Sequence, residues 1–104
     1  MLNLTKCLNT SQWYIQPTDT AINYRARCIS TNSLDYRGYK VPNPMYEITM
    51  SETKSSVRLM IMCLTSIPQI NGVIVENLTL KNQSAVLKLF RKYGLDDLVL
   101  KRGA

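Results

Sequence analysis

Polar and apolar residues alternate through much of the chain, and the alternation gives way to a helical period only after Asn82. From Ala21 to Ile29, Ile22, Tyr24, Ala26 and Cys28 share one side of an extended strand, and Asn23, Arg25 and Arg27 share the other, because successive strand side chains point to opposite faces. Met45 to Met50 repeats the pattern, with Tyr46, Ile48 and Met50 opposed to Glu47 and Thr49. The polar stretch 51–56 predicts a turn, and Val57 to Leu64 a returning strand. Its almost unbroken apolarity predicts a central strand covered on both faces. Asn71-Gly72 predicts a second hairpin turn, leading into a strand from Val73 to Leu80.

Beyond Asn82, Ala85, Val86, Leu89, Phe90 and Tyr93 fall on one side of a helix, and Lys88, Arg91 and Lys92 on the other. Asn82 is placed to cap its start. Gly94 is placed to end it in the left-handed conformation, so the helix spans about residues 83–93. Residues 95–100 predict a short final strand or turn. The stretch from Ser30 to Pro44, with Asn32, Ser33, Gly38, Pro42, Asn43 and Pro44, predicts an irregular loop. No repeat or linker divides the chain, and 104 residues is the usual size of one domain. The expected fold class is α+β: a single domain over 1–104, built as an antiparallel sheet or partly open small barrel of about five strands with one C-terminal amphipathic helix packed on it.

Composition adds a partner class. The chain is 45% hydrophobic and 19% charged, with net charge +6, which fits a globular core and an affinity for polyanions. Residues 51–104 carry eight Lys or Arg against four acids, and residues 1–50 five against three. The three cysteines, Cys7, Cys28 and Cys63, are widely spaced and odd in number, so neither a disulfide scaffold nor a redox pair is expected. Cys28 and Cys63 read as small core residues. With no histidine in the chain, neither a zinc site nor an imidazole base is expected. Asp96-Asp97 is the one adjacent acidic pair, a pattern typical of solvated turns. The reading is therefore of a non-enzyme without cofactor. The longest apolar run, Leu59 to Leu64, is too short for a bilayer, and the N-terminal residues lack a secretory pattern. A cytoplasmic location, or a host-cell interior for a virus or mobile element, is the corresponding expectation.

The strongest chemical signal is Tyr36-Arg37-Gly38-Tyr39-Lys40, where rings and cations alternate, with Arg25 and Arg27 shortly before it. Rings stack on bases and cations pair with phosphates, so the pattern suits a single-stranded nucleic acid bound with little regard to sequence. The candidate site is Arg25, Arg27, Tyr36, Arg37, Tyr39 and Lys40, with Lys88, Arg91 and Lys92 extending the basic field. Trp13 and Tyr14 are possible additions to the platform, Trp13 being the better candidate for a core or rim anchor. Tyr24 and Tyr46 are in phase with apolar neighbours and belong to the core. Because Tyr and Arg are also enriched at interface hot spots, the alternative is a protein-interaction module, a small inhibitor or adaptor docking on an acidic partner surface. A homodimer is compatible with either.

Overall fold

Strands with a wet and a dry side need a partner layer on the dry side only. In the computed structural model, which describes residues 3–100, β1 (Tyr14–Pro17), β2 (Ile22–Ile29), β5 (Met45–Glu52), β6 (Val57–Leu64) and β7 (Ile74–Leu80) form one open sheet in the order β1-β2-β5-β6-β7. Every pairing is antiparallel. Between β2 and β5 stands a separate hairpin, β3 (Leu34–Tyr36) with β4 (Tyr39–Val41). One helix, α1 (Gln83–Lys92), follows β7. The fold is α+β, with an open sheet rather than a closed barrel.

The core lies on one face. Tyr24 and Ala26 of β2, Tyr46, Ile48 and Met50 of β5, and Val57, Leu59, Ile61 and Cys63 of β6 are buried there against Val86 and Phe90 of α1. The chain ends close the layer. Short 3-10 turns at Leu4–Lys6 and Asp96–Leu98 bring in Leu4, Leu8, Leu95 and Leu98, each at most 1% exposed, and Leu8 bridges Val99. Trp13 stacks on Phe90 at 5.9 Å between centroids, meets Tyr24 edge-on at 6.1 Å, and donates its indole N–H to the Leu98 carbonyl at 2.9 Å.

A buried carboxylate ties the N-terminal segment to the sheet. Glu52, 5% exposed at the end of β5, accepts the Tyr24 hydroxyl at 2.6 Å on one oxygen and the Leu4 amide at 3.2 Å on the other. The Tyr24 hydroxyl is also 2.9 Å from Thr5 Oγ1. Both Glu52 oxygens are thus bonded, which burial of a carboxylate requires.

The helix is capped at both ends by the residues the sequence marks. The Asn82 side chain accepts from the Ala85 amide at 2.9 Å. Gly94, at φ +65°, lets its own amide return to Arg91 and that of Leu95 to Phe90, the paired bonds of a Schellman ending. A Cβ on Gly94 would sit 2.7 Å from Thr31 Oγ1 and 2.8 Å from the Asn32 amide nitrogen. The same glycine carbonyl accepts from the Thr31 amide at 3.0 Å, so helix end and β2–β3 connection are fitted to each other.

Two expectations are corrected. The stretch from Ser30 to Pro44 contains the β3–β4 hairpin, because Val41 is buried and Leu34 packs on the core. Its two-residue turn has positive φ at both Arg37 (48°) and Gly38 (85°), the geometry that matches strand twist. And β6 is an interior strand, next to the edge strand β7, but covered on one face only. Val57, Leu59, Ile61 and Cys63 are buried while Arg58, Met60, Met62 and Leu64 line the uncovered face, where thioethers supply apolarity without full burial. No helix among the described residues is long and apolar enough to cross a membrane.

Gly94→Ala should lower stability by at least about 2 kcal/mol, since it combines a left-handed backbone with a contact inside van der Waals distance. Urea denaturation would show this as a lower midpoint at unchanged slope. A second expectation concerns alkaline pH. Burial, reinforced by the Glu52 hydrogen bond, pushes the Tyr24 hydroxyl up to about 12. Burial pushes Tyr46 to about 12, and burial plus the bond to Glu76 pushes Tyr93 up as well. A raised folded pKa means stability that is full below the ordinary value near 10 and is lost as pH rises through about 12. Tyr24, Tyr46 and Tyr93 should therefore stay protonated through the ordinary tyrosine range and ionise only as the protein unfolds, seen as a late rise in phenolate absorbance that coincides with loss of structure.

Candidate nucleic-acid interface

The uncovered face is ordered by strand register. One row crosses all five strands as Tyr14, Arg25, Thr49, Met60 and Asn77, since each is the direct partner of the next. The next row runs Gln16, Asn23, Ser51, Arg58 and Thr79. Directly opposed residues point to the same side of a sheet, so these ten form a continuous surface. At its middle strand stand the short side chains of Thr49 and Ser51. Longer ones rise on either side: Tyr14 and Arg25 on β1 and β2, Arg58 and Met60 on β6. The result is a groove of about 530 Å³, whose two arginines stem from strands roughly 10 Å apart.

The charges on this face divide into paired and unpaired. Arg27 Nε lies 3.1 Å from Glu47 Oε1, its direct neighbour across the β2–β5 ladder. Neither Arg25 nor Arg58 has an ion-pair partner among the described residues. Tyr14 is 67% exposed, the barest of the large hydrophobic side chains among the described residues, and stands beside Arg25. Toward the other end the face turns apolar, with Ile29 59% and Ile74 46% exposed.

The expected site residues separate into three places. Arg25 and Arg27 lie on the open face, Arg27 already neutralised by Glu47. Tyr36, Arg37, Tyr39 and Lys40 sit on the hairpin, whose root is tied to the covered side: the Asn32 amide side chain donates to the Lys92 carbonyl at 2.9 Å, and Leu34 packs on the core. There the Arg37 guanidinium lies 5.3 Å from the centre of the Tyr36 ring, so this pair is a local cation–π contact, and Tyr39 is 36% exposed. Lys88, Arg91 and Lys92 are on α1, in the layer behind the sheet, with Lys92 3.8 Å from Glu76. The open face thus joins Arg25 to Tyr14 and to Arg58. Sequence reasoning left Arg58 inside an apolar run. Its signal was there, because Arg58 occupies the polar phase of a strand whose alternate residues are Val57, Leu59, Ile61 and Cys63.

The chemistry available elsewhere is limited. Among the described residues no group of three or more acids, cysteines or histidines is placed to hold a metal. A second depression, about 640 Å³, lies between the chain ends and α1, where Lys6 and Arg91 are offset by Asp96. All three thiols are held protonated: burial is the first cause at Cys7, Cys28 and Cys63, and the Glu52 charge adds to it at Cys7. No protein-family model matches the chain, and no curated protein or solved structure is significantly similar to it.

Because the thiolate is the reactive form, the folded protein should react slowly with a disulfide reagent at pH 8. Cys63, fully buried, should be released only by denaturant. Immediate titration of three thiols in the native protein would contradict this account.

Proposed function

We propose that the open sheet face binds single-stranded nucleic acid with little sequence preference. The observation that carries the reading is the grouping of one exposed ring, Tyr14, with two unpaired guanidiniums, Arg25 and Arg58, around a shallow groove of short hydroxyl side chains. A base stacks on Tyr14, and the two arginines take successive parts of the backbone, while Asn23, Ser51 and Asn77 offer hydrogen bonds that do not demand one base. Exposed bases fit a flat surface of this kind, whereas a paired duplex hides its base faces. The hairpin Tyr36–Lys40 and the helix cations Lys88, Arg91 and Lys92 contribute at most to the long-range field, since they stand away from the groove. Binding rather than catalysis is the role proposed, supported by the lack of histidine and the protonated thiols. Those free thiols fit a reducing compartment such as a cytosol.

Docking on an acidic protein is the second reading, favoured by Ile29 and Ile74, which give the other end of the same face an apolar character.

Fluorescence anisotropy of a labelled oligonucleotide separates the two. Single strands should bind more tightly than a matched duplex. Arg25→Ala and Arg58→Ala should each reduce the slope of log affinity against log salt by about 0.7, the value for one phosphate contact on a single strand. Tyr14→Ala should cost about 1–3 kcal/mol with the salt slope kept, and Tyr39→Ala close to nothing. No affinity above that of a generic basic protein, or a Tyr39→Ala loss equal to that of Tyr14→Ala, would refute the assignment.

A further inference from the structure

The two edges of the sheet are unlike. On one side, β1 is four residues long and ends in Pro17, which has no amide hydrogen to donate. Short edge strands and edge prolines are devices that prevent a further strand from adding. On the other side, β7 is seven residues long and contains no proline, lysine or arginine. Its single charge, Glu76, is occupied within the molecule by the Tyr93 hydroxyl at 2.6 Å and by Lys92. The ladder between β6 and β7 is irregular only beyond Ile61, so that Glu76–Leu80 runs as a straight segment with its outer backbone groups unpaired by any described strand. Its side chains are incompletely covered too: Val75 and Leu80 only lean on the core, Leu78 is half-buried outside it, and Ile74 is 46% exposed.

We propose that β7 pairs antiparallel with β7 of a second copy, joining two five-stranded sheets into one of ten strands. A second copy is the occupant because the pairing closes on itself. Two β7 edges related by a two-fold axis use each other up, and the outer edges of the product are then both β1, which Pro17 blocks; a head-to-tail addition of β7 to β1 would instead run on into a fibre. The straight segment fixes the register. Centred on Leu78, it sets Leu78 against the partner's Leu78, Asn77 against the partner's Thr79 and Glu76 against the partner's Leu80. This keeps Asn and Thr together on the open side and the leucines together beneath. The five residues paired in this register, Glu76–Leu80, span about 17 Å and the molecule's smallest dimension is 21 Å, so the edge offers roughly 350 Å² per copy. The total of roughly 700 Å² is the size of a weak, transient contact, which corresponds to a dissociation constant on the order of hundreds of micromolar. The axis stands perpendicular to the sheet, so both open faces look the same way.

Sedimentation equilibrium of the full chain, without nucleic acid, from low micromolar to near-millimolar protein, tests this. A reversible monomer–dimer equilibrium is expected, tightening as salt screens the repulsion between two copies of net charge +6, the reverse of the salt effect on an oligonucleotide. Thr79→Lys, at an exposed position, should weaken the dimer at least tenfold with unchanged melting temperature, and Leu78→Lys should do the same. If Leu78→Lys fails to fold, Thr79→Lys decides alone. Hydrogen exchange at β7 amides should slow with concentration in the wild type only. A monomer throughout, a dimer that Thr79→Lys leaves intact, or assembly beyond two copies would each overturn the proposal. Because nucleic acid is absent from the experiment, its outcome is independent of the binding reading above.

Discussion

One ten-residue helix cannot cover two faces of a five-stranded sheet, and most of the architecture follows from that shortage. The helix and the 3-10 turns from both chain ends are spent on one face, where they enclose Tyr24, Tyr46, Ile48, Leu59 and Phe90. The opposite face is then left to water, and its two central rows are accordingly mostly polar. Alternation is the sequence's way of meeting that demand: Arg25, Thr49, Ser51, Arg58 and Asn77 stand where a second layer would otherwise require hydrophobic residues. The same shortage of covering structure leaves Leu78 and Ile74 half open at the far edge.

Closure of the covered side depends on polar bonds as much as on packing. Leu4 and Leu8 come from a segment too short to hold itself in place. Glu52 fixes its backbone by accepting the Leu4 amide, and the Tyr24 hydroxyl, which donates to Glu52 and is bonded to Thr5 Oγ1, locks segment and sheet in one position. At the other end Ser30, Thr31 and Asn32 bond to the carbonyls around Gly94. The helix is thereby held from β7 at its start and from the β2–β3 connection at its end. A network of this sort adds specificity of placement beyond the burial that drives collapse.

Much of the fold was legible because its signals are local. Alternation marks β2 and β5, Asn71-Gly72 marks the turn that leads into β7, and Asn82 and Gly94 delimit the helix. What could not be read depends on distant contacts. β1 is four residues with a proline, and only its pairing with Ile22–Arg25 makes it a strand. The β3–β4 hairpin owes its order to Leu34 packing on the core across many residues of chain and to the burial of Val41. The site was half legible: Arg25 was identified from its phase, whereas its association with Arg58 and Tyr14 arises from the order of the strands, which no local pattern encodes. The ring-and-cation motif at Tyr36–Lys40 drew attention by composition, yet its prominence is that of a two-residue turn whose arginine lies on the neighbouring Tyr36 ring.

The single tryptophan of the chain has a place that gives it a further use. Trp13 is 7% exposed where the N-terminal segment, α1 and the Asp96–Leu98 turn converge, while Tyr14, its neighbour in sequence, faces outward across the sheet. The protein therefore carries a single indole whose surroundings record whether the N-terminal segment and the Asp96–Leu98 turn have come together over the core. Trp13 packs on the covered side and Tyr14 faces the open one, so two consecutive residues look onto opposite sides of the same sheet.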